Sequence, residues 1–224
     1  MNPDDPNSPI KNPLVYCVDR CIPEPIRTAT LQGVKWWEQA FDEAGLKGGF
    51  KVDLCPEGID PMDIRYNVLV WENRNERGWS VSGSVDDPRT GEILKGISRL
   101  DSHRARTDYN LYAALMGAAQ TPADTHFVLA RVRQVSAHEI GHTLGLSHNY
   151  IASTYSRASV MDYPAPRITL DKNGNIDMSQ AYAVGPGAYD VWAIHWGYGI
   201  FPPGQEQDSL KAIVAEGLKK GYLF

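Results

Sequence analysis

Residues 138–148 read HEIGHTLGLSH, with three histidines, a glutamate and a glycine at fixed spacing. In an α-helix, residues four apart lie about 40° apart around the axis and about 6 Å along it, so His138 and His142 would project from one face. Two imidazoles placed in this way can bind one metal ion. Glu139 would lie on an adjacent face, where its carboxylate can act as general base on a metal-activated water without being a ligand.

The third histidine requires the helix to end. On an unbroken helix, His148 would lie about 15 Å from His138, too far to share an ion. Gly145 predicts the end, because a residue without Cβ adopts the left-handed conformation cheaply and lets the chain turn back. Three neutral imidazoles leave a fourth tetrahedral position open, which is typical of catalytic zinc sites, whereas calcium and magnesium prefer oxygen ligands. We therefore expect one Zn²⁺ ion bound by His138, His142 and His148.

These residues need a scaffold, and the patterns along the chain predict strands first and helices later. Alternating apolar residues predict strands at 14–18, 50–54, 66–71, 79–85 and 93–100. Apolar residues three and four apart predict a helix from Thr28 to Ala44 that ends at Gly45. Further helices are predicted at 104–119, 125–144, 189–198 and 209–220, and a hairpin at 168–178.

Composition excludes several classes of protein. The 22 Lys and Arg residues against 27 Asp and Glu give a net charge of -5, without long blocks of either sign, so nucleic acid and anionic membranes are not expected partners. No apolar run is long enough for a membrane span. The first residues contain neither a basic segment nor an apolar run, so no secretory signal is visible, and the chain could be a segment of a longer protein.

The motif resembles that of the metzincin clan of zinc metallopeptidases at all five positions. Residues 159–164, SVMDYP, resemble the tight Met-turn of the clan, with Met161 as its methionine. From about Tyr16 to the C-terminus, the chain is similar to the met-zincin catalytic domain of large bacterial zinc-dependent metalloproteases. The stretches that carry this similarity are 36–37, 62–67, 87–92 and 189–194.

The resemblance implies an α+β fold, with a twisted, mostly parallel sheet, an antiparallel edge strand, a backing helix and an active-site helix. The stretch from Trp79 to Val85 would be the edge strand, and a peptide or protein substrate would pair with it as an added strand; a plain hairpin strand is the alternative. Met161 would pack beneath the metal without binding it. Tyr163 matches a tyrosine that in some branches swings onto the zinc or the developing oxyanion, although simple packing is equally open.

The resemblance also suggests a division of the chain and a compartment. The four prolines and few apolar groups of residues 1–13 predict an extended arm. Residues 14–148 would be an N-terminal subdomain with the sheet and both helices, and 149–224 an irregular and helical C-terminal subdomain with the Met-turn below the cleft. The residues leave the compartment open, and only the resemblance suggests a secreted or periplasmic location.

Two other clusters have simpler interpretations than metal sites. Cys17, Cys21 and Cys55 are odd in number and lack a second Cys or His pair, so buried thiols or one bridge are expected rather than a metal knuckle. Residues 171–177 resemble the start of a calcium loop, but Ile176 stands where such a loop needs glycine, so a hairpin turn is favoured.

The sequence thus predicts a zinc-dependent endopeptidase, with two alternatives. One is a zinc hydrolase that acts on a non-protein amide or a peptidoglycan crosslink. The other is a zinc-stabilised binding module without turnover, which the presence of Glu139 argues against.

Overall fold

A five-stranded sheet forms one layer of the computed structural model, which describes residues 8–75, 78–117 and 121–224. The strands lie in the order β2-β1-β3-β5-β4, and β4 runs antiparallel to β5 while all other neighbours are parallel. This arrangement confirms the predicted mixed sheet with an antiparallel edge strand. The strands are β1 (Leu14–Val18), β2 (Phe50–Leu54), β3 (Asn67–Glu72), β4 (Val81–Asp86) and β5 (Ile93–Asp101).

Helices cover the sheet and are the main regular elements of the second half of the chain. Two short strands, β6 (Thr169–Leu170) and β7 (Ile176–Asp177), form the predicted hairpin, and a 3-10 helix spans Tyr150–Tyr155. The Asp171 carboxylate accepts the backbone N–H groups of Asn173 and Asn175, so its oxygens close the turn. The α-helices are α1 (Ile26–Val34), α2 (Trp36–Glu43), α3 (His103–Met116), α4 (Pro122–Thr143), α5 (Ala188–Tyr198) and α6 (Glu206–Lys219).

The single helix expected from Thr28 to Ala44 is wrong in one respect, because two helices meet at Lys35. The backbone N–H of Glu38 donates to the Lys35 carbonyl, a bond over three residues that tightens the turn at this point. The apolar stripe nevertheless continues across the junction, and Val34, Trp37 and Phe41 are all buried. The periodicity therefore predicted the buried face of the two helices correctly, but it could not detect that the helix is interrupted at Lys35.

The main hydrophobic core lies between the sheet and the helices α1, α2, α4 and α5. A second cluster joins α1, α3 and α4 to the segment that follows β7. Cys17 of β1 and Cys55, just after β2, form a disulfide, whereas Cys21 is free and exposed. None of the helices among the described residues is long and apolar enough to cross a bilayer.

Helix α4 is the element that carries the histidine motif, and both of its ends are specified locally. Pro122 is its first residue, and the Asp124 carboxylate accepts the Thr121 N–H, which caps the start three residues before the predicted one. At the other end, the Gly145 N–H donates to the His142 carbonyl and the Leu146 N–H to the Gly141 carbonyl, which is a Schellman motif. Gly145 has φ of +86°, as its predicted role requires.

Candidate metal centre

The three histidines of the motif converge at the C-terminal end of α4. The Nε2 atoms of His138 and His142 are 3.1 Å apart, and those of His142 and His148 are also 3.1 Å apart. All three rings offer a nitrogen within 4.8 Å of one another. The turn at Gly145 brings His148 to this point, so the structure assembles the trio that the spacing predicts.

The second nitrogen of each ring is held by a partner outside the trio. Nδ1 of His138 lies 2.8 Å from the Val160 carbonyl, and Nδ1 of His142 lies 2.8 Å from the Leu146 carbonyl. A carbonyl only accepts, so in both neutral rings the proton belongs on Nδ1 and the lone pair on Nε2. Lone pairs that face each other at 3.1 Å cannot hydrogen-bond, and their convergence fits a bound cation.

The distances and the charge state of the rings fit zinc. With Zn–N bonds of 2.0–2.1 Å, tetrahedral geometry separates two nitrogen ligands by about 3.3 Å, close to the separations observed here. Burial lowers the pKa of His138 to about 4 and also lowers the pKa of His142. Both rings are therefore neutral near pH 7, which is the form that binds a metal.

Glu139 lies beside the trio, on the side of the sheet edge. Its side chain is buried, and its Oε2 accepts a hydrogen bond of 2.5 Å from the Ser82 hydroxyl of β4. Burial raises the pKa of Glu139 to about 7, and the hydrogen bond from Ser82 opposes that rise. Within the described residues no donor reaches Oε1, so one carboxylate oxygen is held and the other is available.

The loop around Met161, residues 159–164, packs against the turn of α4 that carries the histidines. Met161 is fully buried, and a Cβ placed on Gly141 would lie 2.2 Å from its Sδ atom, so the thioether packs against the turn of α4 between two of the histidines. Asp190 of α5 braces this loop, because its carboxylate accepts the Ser159 hydroxyl and the Val160 N–H. The same loop supplies the Val160 carbonyl that orients His138, so packing and ring orientation are linked.

Tyr163 lies at the open side of the trio. Its ring centroid is 5.0 Å from that of His138 and 4.6 Å from that of His148, and the residue is 56% exposed. Its hydroxyl has no hydrogen-bond partner within the described part of the chain. The structure therefore brings all five residues of the predicted site together.

Two residues at the site were not identified from the sequence. Ser82 contacts Glu139, and the Tyr150 hydroxyl lies 3.0 Å from Nδ1 of His148. Tyr150 follows the third histidine by two residues, but its position depends on the 3-10 helix that begins there. The only local signal for Ser82 was that it is a polar residue in a predicted strand. The structure shows that this position is half-buried.

A large cavity lies elsewhere, near the Gly145 end of α4. It has a volume of about 890 Å³ and is lined mainly by apolar side chains, among them Leu144, Trp192, Trp196 and Phe224. Neither the three histidines nor Glu139 line it. The cavity is therefore separate from the candidate metal centre.

Comparisons with known proteins agree with this geometry for the second half of the chain. Residues 120–224 match the family model DUF4953, described as Met-zincin. This match covers the histidine motif and the Met161 loop, confirms the predicted resemblance to metzincin-clan zinc metallopeptidases, and supports a zinc metallopeptidase-type function. The similarity to large bacterial proteases stays a prediction.

No curated protein matches the chain. Among solved structures, the chain is similar to archaemetzincin from Methanopyrus kandleri, with a TM-score of 0.38 and 18% sequence identity, over 70% of this chain and 84% of that one. A likeness of this strength does not by itself establish a relationship.

Proposed function

We propose that the chain is a zinc-dependent endopeptidase with a single catalytic zinc ion. The observation that carries the proposal is the convergence of the three Nε2 atoms next to a carboxylate that is not part of the trio. His138, His142 and His148 would hold the ion. When bound, zinc would polarise a carbonyl group and make water acidic enough to ionise near neutral pH.

Glu139 is the general base of this proposal. Its Oε1 accepts a proton as water attacks the scissile carbonyl, and the protonated carboxyl group then donates that proton to the leaving amine. Its position on the turn of α4 that carries His138 and His142 supports this role, because the carboxylate lies beside the trio without joining it. Because Ser82 holds Oε2 of Glu139, the proton has a defined acceptor in Oε1.

The substrate would be an extended peptide paired with β4. This strand lies at the end of the sheet order, so its outer backbone groups can pair with an added antiparallel strand. The hydroxyl of Ser82 on β4 reaches Glu139, which brings this edge close to the base. In this proposal the segment from Trp79 to Val85 binds the substrate backbone, and Trp79, which is 67% exposed, offers apolar contact beside it.

Tyr163 has a supporting role in the proposal. Its ring packs on two of the three histidines and its hydroxyl is unpaired among the described residues, so the hydroxyl can donate to the oxyanion that develops on the scissile carbonyl. The hydroxyl would act only in the transition state, when negative charge appears on that oxygen.

An unbiased peptide-library digest tests the function. The wild-type chain should cut internal peptide bonds with a reproducible preference. Glu139→Gln should retain zinc but lose roughly a hundred- to ten-thousand-fold in kcat/KM, because the base is removed while the ligands stay. Full activity of Glu139→Gln would refute the role of the base.

A parallel digest of peptidoglycan fragments and a chelation experiment separate the alternatives. Cleavage of peptidoglycan fragments but of no library peptide would favour a hydrolase for a non-protein amide or crosslink. A zinc-loaded chain that unfolds on chelation and cuts neither substrate would favour a binding module.

A further inference from the structure

Two serines connect the sheet edge to Glu139. Ser82 of β4 and Ser98 of β5 are directly opposite each other in the antiparallel register, and their hydroxyl oxygens are 2.8 Å apart. Ser82 Oγ is also 2.5 Å from Glu139 Oε2, and Ser98 is fully buried. The three side chains thus form a continuous chain from the interior of the sheet to the carboxylate.

Proton counting gives this chain a direction. Each hydroxyl carries one proton, and an ionised carboxylate only accepts. In the ionised form that the proposed base requires, Glu139 accepts from Ser82, which leaves Ser98 to donate to Ser82. The Ser82–Glu139 distance is in the range of hydrogen bonds between a hydroxyl and a charged carboxylate.

We propose that Ser82 is a positioning residue for Glu139 and that Ser98 orients the Ser82 hydroxyl. This inference rests on the proposed function, in which Glu139 is the base. A glutamate side chain has several rotatable bonds, and the hydrogen bond at Oε2 holds the carboxylate while Oε1 keeps no donor among the described residues.

The location of Ser82 gives the arrangement a second consequence. Ser82 belongs to the strand on which a substrate peptide would be added, so one strand would hold both the substrate backbone and the base. Their separation is then set by the strand itself and does not depend on loops. A shift of about 1 Å in such a separation can cost roughly a hundredfold in rate.

The kinetic test compares three variants on the library peptide that the wild type cleaves best. Ser82→Ala should lower kcat roughly ten- to a hundredfold with KM changed less than about twofold, because a hydrogen bond to a charged group is lost. Ser82→Thr keeps the hydroxyl on a strand position and should recover most of kcat. Ser102→Ala is the matched control. The Ser102 hydroxyl accepts a 2.9 Å hydrogen bond from the Arg74 N–H and contacts none of the site residues, so the variant should leave kcat unchanged.

A double variant separates positioning from a general loss of structure. In the Glu139→Gln background, Ser82→Ala should cause little further loss of kcat, because the two residues act as one unit. An equal loss in both backgrounds, or wild-type kcat in Ser82→Ala itself, would overturn the proposal.

A crystallographic test of the same proposal needs no substrate. Crystal structures of the zinc-loaded wild type and Ser82→Ala should show the Glu139 carboxylate in one orientation in the former and displaced in the latter. An unchanged carboxylate in Ser82→Ala would overturn the positioning role, even if the wild type cleaved no peptide and the peptidase proposal had failed on its own.

Discussion

A histidine that binds a metal through one ring nitrogen is oriented through the other, and the three orienting partners here differ in kind. Backbone carbonyls hold His138 and His142, whereas His148 contacts a side-chain hydroxyl, that of Tyr150. Backbone partners cannot be removed by substitution, but the hydroxyl can. His148 is therefore the ligand whose orientation is most open to a direct test.

We predict that Tyr150→Phe weakens zinc affinity by roughly ten- to a hundredfold, because the ring of His148 loses the partner that orients it. Competition with a chromogenic chelator measures the affinity. Tyr155→Phe is the control, since its hydroxyl donates to the Leu223 carbonyl and not to a histidine, so its zinc affinity should match the wild type. Equal affinities for all three proteins would contradict the role of Tyr150.

At the scale of residues, the sequence predicted those members of the candidate site whose positions depend only on helix geometry. His138, His142 and Glu139 follow from a spacing of four and an adjacent position, and His148 follows from the turn at Gly145. Ser82 could not be predicted, because its contact with Glu139 depends on the β4–β5 register and on where α4 passes the sheet edge. Both are long-range features that no local pattern contains.

At the scale of elements, α4 and the Met161 loop must approach closely for the site to exist. A Cβ on Gly141 would lie 2.2 Å from Met161 Sδ and 2.9 Å from Trp37 Cζ2. Glycine within a helix costs about 1 kcal/mol relative to alanine, so close packing is the reason for its presence. The loop can then lie directly beneath the turn with the histidines.

Gly141→Ala should lower the free energy of unfolding by about 1–3 kcal/mol, because overpacking outweighs the better helix propensity of alanine. Gly197→Ala in α5 is the matched control: an added Cβ there meets no atom within 4 Å, so the variant should gain up to about 1 kcal/mol. Urea unfolding measures both. If Gly141→Ala were as stable as Gly197→Ala, the close contact would be refuted.

Local signals predicted most elements but not their junctions. The alternating residues of β1 and the turn residues of the hairpin at 168–178 were sufficient, because both act within a few residues. The junction at Lys35 was missed, since it is a change in hydrogen bonding that leaves the apolar stripe intact. The pairing of Cys17 with Cys55 likewise needed the parallel register of β1 and β2.

At the scale of the whole molecule, the main core reaches the candidate metal centre at Ile140 and Met161 but extends well beyond it. The main core contains fully buried residues such as Val18, Phe50 and Leu69 on strands away from the histidines, and a disulfide links β1 to the end of β2. Metal binding should therefore add stability to a chain that is already folded. The division at residue 148 into two subdomains stays a prediction.

Chelation should lower Tm without unfolding the chain at 25 °C. At a free zinc concentration a hundred times Kd, binding contributes about 2.7 kcal/mol, which corresponds to a shift of roughly 5–10 °C for a chain of this size. Calorimetry with and without EDTA measures the shift, and His142→Ala should show almost none. Loss of near-UV circular dichroism on chelation at 25 °C would contradict a fold that persists without zinc.

The most direct test is the zinc content of the purified chain after dialysis against metal-free buffer. The wild type should retain one zinc ion per chain, and His142→Ala should retain none, because two imidazoles do not hold the ion. A wild-type chain without zinc even after exposure to zinc salts, or His142→Ala with one zinc per chain, would contradict the account.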